Sequence, residues 1–248
     1  MAMSMSFAVR ARLLPLATLL ALAGPAVAAD PADPWEGLNR GVFVFNEQLD
    51  NYVAKPAAKV YQKVVPRPVD NAVSRFFNNL TSPLTLVNQL LQGKPADAAA
   101  TTSRLIFNST LGLGGLFDIA EKMGVPRKKE DFGQTLAVWG VGAGPYVMLP
   151  VLGPSTVRDF FGRAADGLAD PRAHMNAEAA YGLAALDLLD TRADLLSAEK
   201  VIEGDRYTFI REFYLQQRAF AIADGKIEKD EFLDEDFDDE DEPGSAAE

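Results

Sequence analysis

The sequence predicts a mainly α-helical single domain of short amphipathic helices with one glycine- and proline-rich hairpin loop. Three observations predict it. Apolar residues recur at spacings of three and four through residues 35–223. Prolines and N-capping residues repeatedly stop and restart that pattern. Only Tyr146, Val147, Met148 and Leu149 read as a β-prone run.

The ends differ from the body. Arg10 and Arg12 precede an apolar run over residues 13–23, followed by Gly24-Pro25 and Ala26-Val27-Ala28. Residues 1–28 therefore read as a secretory signal with a small-residue cleavage site. The run falls short of the ~20 apolar residues of a spanning helix. The expected mature chain is exported and crosses no membrane as a conventional helix, although it can lie in one leaflet.

The 248 residues contain no cysteine. That excludes a disulfide framework, a thiol nucleophile, a cysteine metal site and a lipobox cysteine for acylation. The formal net charge is −11, yet residues 228–248 alone hold twelve acidic residues against one lysine. This stretch reads as a solvated, disordered acidic tail, with an electrostatic lure for a basic soluble partner as the functional alternative. Residues 29–227 remain as one nearly neutral domain.

Within it, Asp33 and Pro34 form an N-cap and first-turn pair opening a helix over residues 35–53, with an apolar stripe of Leu38, Val42, Phe45, Leu49 and Val53. Lys55-Pro56 is expected to break that helix and open a second one to residue 64. Pro66 and Pro68 make a connector. Helices follow over residues 69–78 and 83–92, the latter capped by Ser82, and from Pro95 to about residue 108.

Gly112, Gly114 and Gly115 interrupt an apolar run before a helix over residues 116–123. They miss a dinucleotide fingerprint by one position, at Phe117, so close packing is the better reading. Residues 126–131 read as a charged turn. Arg127-Lys128-Lys129 is the one basic cluster, either solvated or in contact with anionic head groups. Other basic residues are scattered singly, which leaves no electrostatic footprint for nucleic acid.

In residues 132–160, Gly140, Gly142 and Gly144 alternate with Val141 and Ala143 and run into Pro145. A long helix is impossible there. Tyr146 follows with the β-prone run, ended by Pro150, and Gly153-Pro154 restarts a helix with Ser155 or Thr156 as N-cap. The hairpin joins helices at 134–139 and 156–168. It is either a buried structural element or an apolar one that meets lipid and flexes. After the Asp170-Pro171 break come a helix over residues 177–189, a new turn capped by Asp190 or Thr191, and a helix over residues 205–223.

Reactive chemistry is missing. His174 is the only histidine and has no neighbouring nucleophile or second ligand, and neither a G-x-S-x-G elbow nor a phosphate loop occurs. Asp224, Gly225, Ile227 and Glu231 imitate half of a calcium loop, but Phe220 and Ile222 stand where two ligands belong; Gly225 is more simply a helix C-cap. No catalytic residue, metal or cofactor is expected.

Taken in order, DPWEGLNRGVFVFN, NNLTSPLTLVNQLLQGK, RLIFNSTLGLGGLFDIA, FGQTLAVWGVGAGPYVMLPVLGPSTVRD and TRADLL resemble the MlaA family, also called VacJ. The resemblance covers nearly the whole mature chain. It implies a ring-like helical protein in the inner leaflet of the outer membrane, bound beside trimeric porins. Such proteins remove phospholipid from the outer leaflet and pass it through an amphipathic channel to a soluble periplasmic carrier; they are not enzymes. It also implies a mobile hairpin made by Gly140, Gly142, Gly144, Pro145, Tyr146 and Pro150, and a first-helix motif, Asn39, Arg40, Phe43 and Asn46, that holds ring and hairpin in place.

The chain departs from that pattern in lacking the lipobox cysteine. Attachment is then expected through apolar helices, the hairpin and a porin. Polar groups such as Asn39, Arg40, Asn46 and Asn108 would line the channel and lower the desolvation cost of a passing head group. The alternative from another class is a periplasmic membrane-associated scaffold or adaptor that does not transport lipid.

Overall fold

The structure, a computed structural model, describes residues 32–197, 199 and 204–226. The expected signal segment and acidic tail lie outside the described residues. Helix α1 (Glu36–Leu49) runs through a π-helical turn (Asp50–Ala54) directly into α2 (Lys55–Val64). Pro56 therefore does not break the helix. The Lys55 amide already bonds five residues back, to Asp50 O, so the backbone is widened where the proline ring must fit.

Two further expectations about α1 are corrected. Trp35, without a side-chain bond, occupies the N-cap. Asp33 is fully buried instead, accepting from Asn39 Nδ2 at 2.7 Å and from the Tyr207 hydroxyl. The apolar stripe is not one face but is divided: Leu38, Phe45 and Val53 are exposed, whereas Val42 packs against the cluster of Tyr146 and Tyr207, and Asn39 is fully buried.

The chain continues with α3 (Arg67–Leu80), α4 (Ser82–Leu91), α5 (Pro95–Thr110), α6 (Ile119–Lys122) and α7 (Phe132–Val138). Pro68 lies in the first turn of α3, where its missing N–H costs nothing. Thr81 takes the N-cap position of α4, and the Ser82 hydroxyl donates backward to Asn78 O at 2.8 Å. Helix α6 is shorter than its apolar pattern because the Asp118 side chain caps it, accepting from the Glu121 amide.

Strands β1 (Tyr146–Leu149) and β2 (Gly153–Thr156) form an antiparallel pair, with Tyr146 opposite Thr156 and Leu149 opposite Gly153. The second strand corrects the expected helix restart at Gly153. Thr156 does cap the following helix, α8 (Val157–Ala169), accepting from the Asp159 amide at 3.2 Å. A 3₁₀ turn (Pro171–His174), α9 (Ala177–Leu195) and α10 (Arg206–Ile222) complete the described chain. The expected break at Asp190 does not occur. That residue is buried within α9 and accepts from Tyr61 Oη at 3.1 Å and Ser74 Oγ at 2.7 Å, which ties α9 to α2 and α3.

Packing follows a closed circuit: α3 on α4, α4 on α7, α7 on α8, α8 on the 3₁₀ turn, that turn on α9, and α9 back on α3. Polarity is inverted relative to a soluble helical domain. Gln89, Asn39, Asn88, Thr135, Asp33 and Asp159 are among the most completely buried side chains, whereas Val60, Val64, Leu90, Ile106, Phe161 and Leu168 are exposed. Among the described residues, no helix is long and apolar enough to cross a membrane.

A polar interior requires partners for its groups. Thr135 Oγ1 donates to Asn88 Oδ1 at 2.8 Å, and Asn88 Nδ2 donates to Asp166 at 3.1 Å. Arg218 of α10 spans two carboxylates, Asp131 at 2.6 Å and Asp159 at 2.9 Å, and Tyr214 Oη adds a 2.7 Å bond to Asp159. Burial alone would raise both aspartates, but the Arg218 bonds hold them below the usual carboxylate range.

Replacing Arg218 with Met should therefore cost about 3 kcal/mol in urea unfolding, because it takes a bidentate partner from the buried Asp159 and the partner of the half-exposed Asp131. The lowered carboxylate pKa values stabilise the fold fully above about pH 4, and that contribution is lost as pH falls through the folded values. Wild-type stability should drop on acidification more steeply than that of Arg218→Met.

Candidate hairpin and cavity site

A two-stranded hairpin is marginal by itself, and here its free edge is occupied by side chains of α1. Asn39 Nδ2 donates to Tyr146 O at 3.1 Å while its Oδ1 accepts from the Met148 amide at 2.8 Å. Asn46 repeats the arrangement, donating to Leu149 O at 2.9 Å and accepting from the Val151 amide at 2.8 Å. Seven residues of helix rise ~10.5 Å and return to the same face. Three residues of strand advance ~10 Å. The spacing of the two asparagines thus matches the step along β1, and two amides do the work of a third strand.

The other two motif residues pack at the same junction. Phe43 meets the Tyr207 ring edge-on at 5.6 Å. Arg40 lies 4.4 Å above that ring and pairs with Glu36 at 2.7 Å and Asp205 at 2.6 Å. All four first-helix residues converge on the hairpin and α10. Arg40 and the asparagines are thereby committed to internal partners, and Asn108 is spent on Asp118 and the Ala120 amide, each at 3.0 Å. Asn108 nevertheless lines a concavity between the helices.

The predicted hairpin residues divide into an anchor and an exposed arm. Tyr146 is fully buried between Tyr207 and Tyr214, with ring centroids 6.3 Å away in each case, and its amide bonds to Ala32 O at 3.0 Å. Gly140, Gly142 and Gly144 are exposed, Pro145 is half-buried and Pro150 is exposed in the turn between the strands. Gly140 and Gly144 have φ of +87° and +66°, the left-handed region that favours glycine; Gly142 does not. At the tip, Val151 has φ of +67°, a costly conformation for a β-branched residue. Asn46 fixes it there through the Val151 amide.

Beneath the tip lies a cavity of about 600 Å³, within the range of clefts that enclose small molecules. Val151, Leu152, Tyr181 and Leu188 form an apolar wall, while Asp170, Arg172 and Asp187 give a polar side. Arg172 bonds Asp170 and Asp187 at 2.7 Å each. Burial would raise Asp170, and the Arg172 bonds bring it below its ordinary value. The cavity is amphipathic, and its two carboxylates share one guanidinium. In the sequence Asp170-Pro171 reads only as a break, and nothing there singles out these residues or Asp33, Tyr207, Tyr214 and Arg218. A charged triplet spread over residues 170–187 and aromatic residues far from the hairpin carry no local pattern that would join them.

Among the described residues, no cluster of histidine and carboxylate side chains could hold a metal ion. His174 stands exposed at the end of the 3₁₀ turn.

A closed helical circuit with many exposed apolar side chains, a polar interior and a hairpin clamped beside an amphipathic cavity defines the class: a mainly helical protein with inverted polarity. A family model described as MlaA lipoprotein matches residues 31–221, so the chain belongs to the MlaA family. The intermembrane phospholipid transport system lipoprotein MlaA of Escherichia coli (strain K12) is 35% identical over 206 residues, covering 81% of this chain and 82% of that protein. The protein of the same name from Haemophilus influenzae is 33% identical over 220 residues, covering 83% and 85%. A solved structure described as the structural basis for maintenance of bacterial outer membrane lipid asymmetry matches with a TM-score of 0.70 and 37% identity, over 77% of this chain and 98% of that one. These relatives are named lipoproteins, whereas the 248 residues here include no cysteine.

Removing the Asn39 amide leaves a buried carbonyl and a buried amide of β1 unpaired. Asn39→Ala should lose about 2–3 kcal/mol and accelerate hydrogen exchange at Met148 before global unfolding. Val151→Gly, which relieves the left-handed strain at an exposed tip, should gain about 1 kcal/mol; thermal denaturation of the two variants should shift in opposite directions.

Proposed function

We propose that this chain is a non-enzymatic phospholipid transport protein that maintains outer-membrane lipid asymmetry. It lies in the inner leaflet on the periplasmic side, takes phospholipid from the outer leaflet and hands it to a soluble periplasmic carrier, with a trimeric porin as its membrane partner. The observation that carries this reading is the amphipathic cavity beneath the hairpin tip, set in a body whose apolar side chains face outward. A lipid moving between leaflets must keep its charged head out of hydrocarbon, and desolvating a bare head group is very costly. A passage with one polar and one apolar wall lowers that barrier without chemistry or an energy source.

Apolar outer faces on short helices suit a body lying in a single leaflet, and the relatives' names describe an intermembrane phospholipid transport system. With no cysteine to carry an acyl chain, attachment rests on those faces and on the porin. In this reading the exposed glycine arm, residues 140–144, is the mobile part of the gate, while Tyr146 stays anchored and Asn46 holds the tip.

Gly142 is the position at which to test gating. An added Cβ meets nothing within 4 Å there, and its φ is not left-handed, so proline fits. Cells whose only copy is Gly142→Pro should accumulate phospholipid in the outer leaflet, measured by leaflet-selective labelling, while the purified variant melts like wild type. Normal asymmetry with that folded variant would remove the gating role. Gly144→Pro should instead disrupt the hairpin, since proline cannot adopt φ of +66°.

A further inference from the structure

A second concavity, of about 230 Å³, opens between α3, α4, α5 and the segment 125–131. It is smaller than the roughly 300–1,000 Å³ clefts that enclose whole drug-sized ligands. It has room for a head group and none for acyl chains. Five cations line it: Arg75, Arg104, Arg127, Lys128 and Lys129.

Its acids are already committed. Asp118 is paired with Arg104, Glu130 with Lys94 at 3.0 Å, and Asp131 with Arg218 at 2.6 Å. Asp166 accepts from Asn88 Nδ2 at 3.1 Å and from the Phe132 amide at 2.9 Å. Of the cations, Arg104 is taken by Asp118, and Lys128 by Asp97 at 3.0 Å. Among the described residues the side chains of Arg75, Arg127 and Lys129 make no hydrogen bond and no close ion pair. Thr101, only 6% exposed, also lines the cleft, and its hydroxyl donates to nothing in the described chain.

The three spare charges are in an unusual setting. Arg127 and Lys129 are reached by solvent, yet enough protein surrounds them for burial to push both below their ordinary pKa values. Arg104 adds repulsion on Arg127 that exceeds the pull of Asp118 or of Glu121 taken singly, and Arg127 adds repulsion on Lys129 that exceeds the pull of Asp187. Partly desolvated like charges without a counter-ion are destabilising. An anion relieves desolvation and repulsion together, and a planar guanidinium beside an ammonium matches the several oxygens of a phosphate.

We propose that this cleft is a phosphate subsite, in which Arg127 and Lys129, supported by Arg75 and the Thr101 hydroxyl, bind the phosphodiester of a glycerophospholipid head group. The lipid as source of that phosphate rests on the transport reading above; the anion site itself rests on the unpaired cations. The acyl chains stay outside, against apolar surface.

The test is isothermal titration of the purified full chain with dihexanoyl phosphatidylglycerol and, separately, with inorganic phosphate. Arg127→Gln/Lys129→Gln is expected to weaken the lipid at least tenfold. Lys122→Gln, a cation outside the cleft, should leave affinity unchanged. Relieving repulsion should leave the double variant melting at or above the wild-type temperature without ligand. Unchanged lipid affinity in the folded double variant would overturn the subsite and leave lipid transport standing. Phosphate bound through these residues with no binding of the lipid would keep the anion site and count against the transport reading. A lower melting temperature with undiminished affinity would make the two cations structural only and overturn the proposal.

Discussion

Most of the architecture follows from how the outer edge of β1 is satisfied. A buried strand edge must find donors and acceptors, and two side-chain amides at a spacing of seven supply them. Because those amides belong to α1, the helix must present its asparagines inward, which turns Leu38, Phe45 and Val53 outward. The apolar surface thus follows from hydrogen-bond geometry within. The same junction buries Asp33, Tyr146 and Tyr207 together, so the start of the described chain, the hairpin and α10 form one unit.

Inverted polarity changes what holds the molecule together. In water, burial of apolar area supplies most of the driving force for folding; here much of the interior is amide, carboxylate and guanidinium, and stability leans on the pairing of those groups. The Asp131–Arg218–Asp159 bridge shows the logic, since each carboxylate would be costly alone and the shared guanidinium satisfies both. Such an interior suits a body whose outer faces meet hydrocarbon, where apolar surface needs no shelter. The two concavities differ in how far that pairing extends. One joins both of its carboxylates to Arg172, and the other keeps three cations without hydrogen-bonded partners among the described residues.

Much of the secondary structure is legible in the sequence. Helical periodicity, proline starts and the glycine arm locate nearly every element, and Thr156 caps its helix as the residue pattern says. Orientation is not legible. A period of 3.6 marks an apolar face without saying which of its residues turn to protein, and in α1 Val42 packs inside while Leu38 and Phe45 point outward. Pro56 and Asp190 read as breaks because local rules cannot foresee a π turn that makes room for the ring or a tyrosine that claims the carboxylate. The strand at Gly153–Thr156 is hidden by Pro154, whose neighbours resemble a helix start. Of the candidate site, the basic run at residues 127–129 is visible in the sequence, whereas the charged wall of Asp170, Arg172 and Asp187 and the placing of Arg75 and Thr101 beside that run emerge only once separate helices are brought together.

The bond from Tyr207 to Asp33 spans 174 positions, and it has a consequence for how the chain reaches this state. Contacts so distant in sequence form late, because the entropy of closing the intervening loop must be met first. While the polypeptide is still emerging, α1 lacks its last aromatic neighbours and the hairpin its third side. A nascent chain in that condition exposes greasy helices to water, the circumstance in which holdase chaperones matter most.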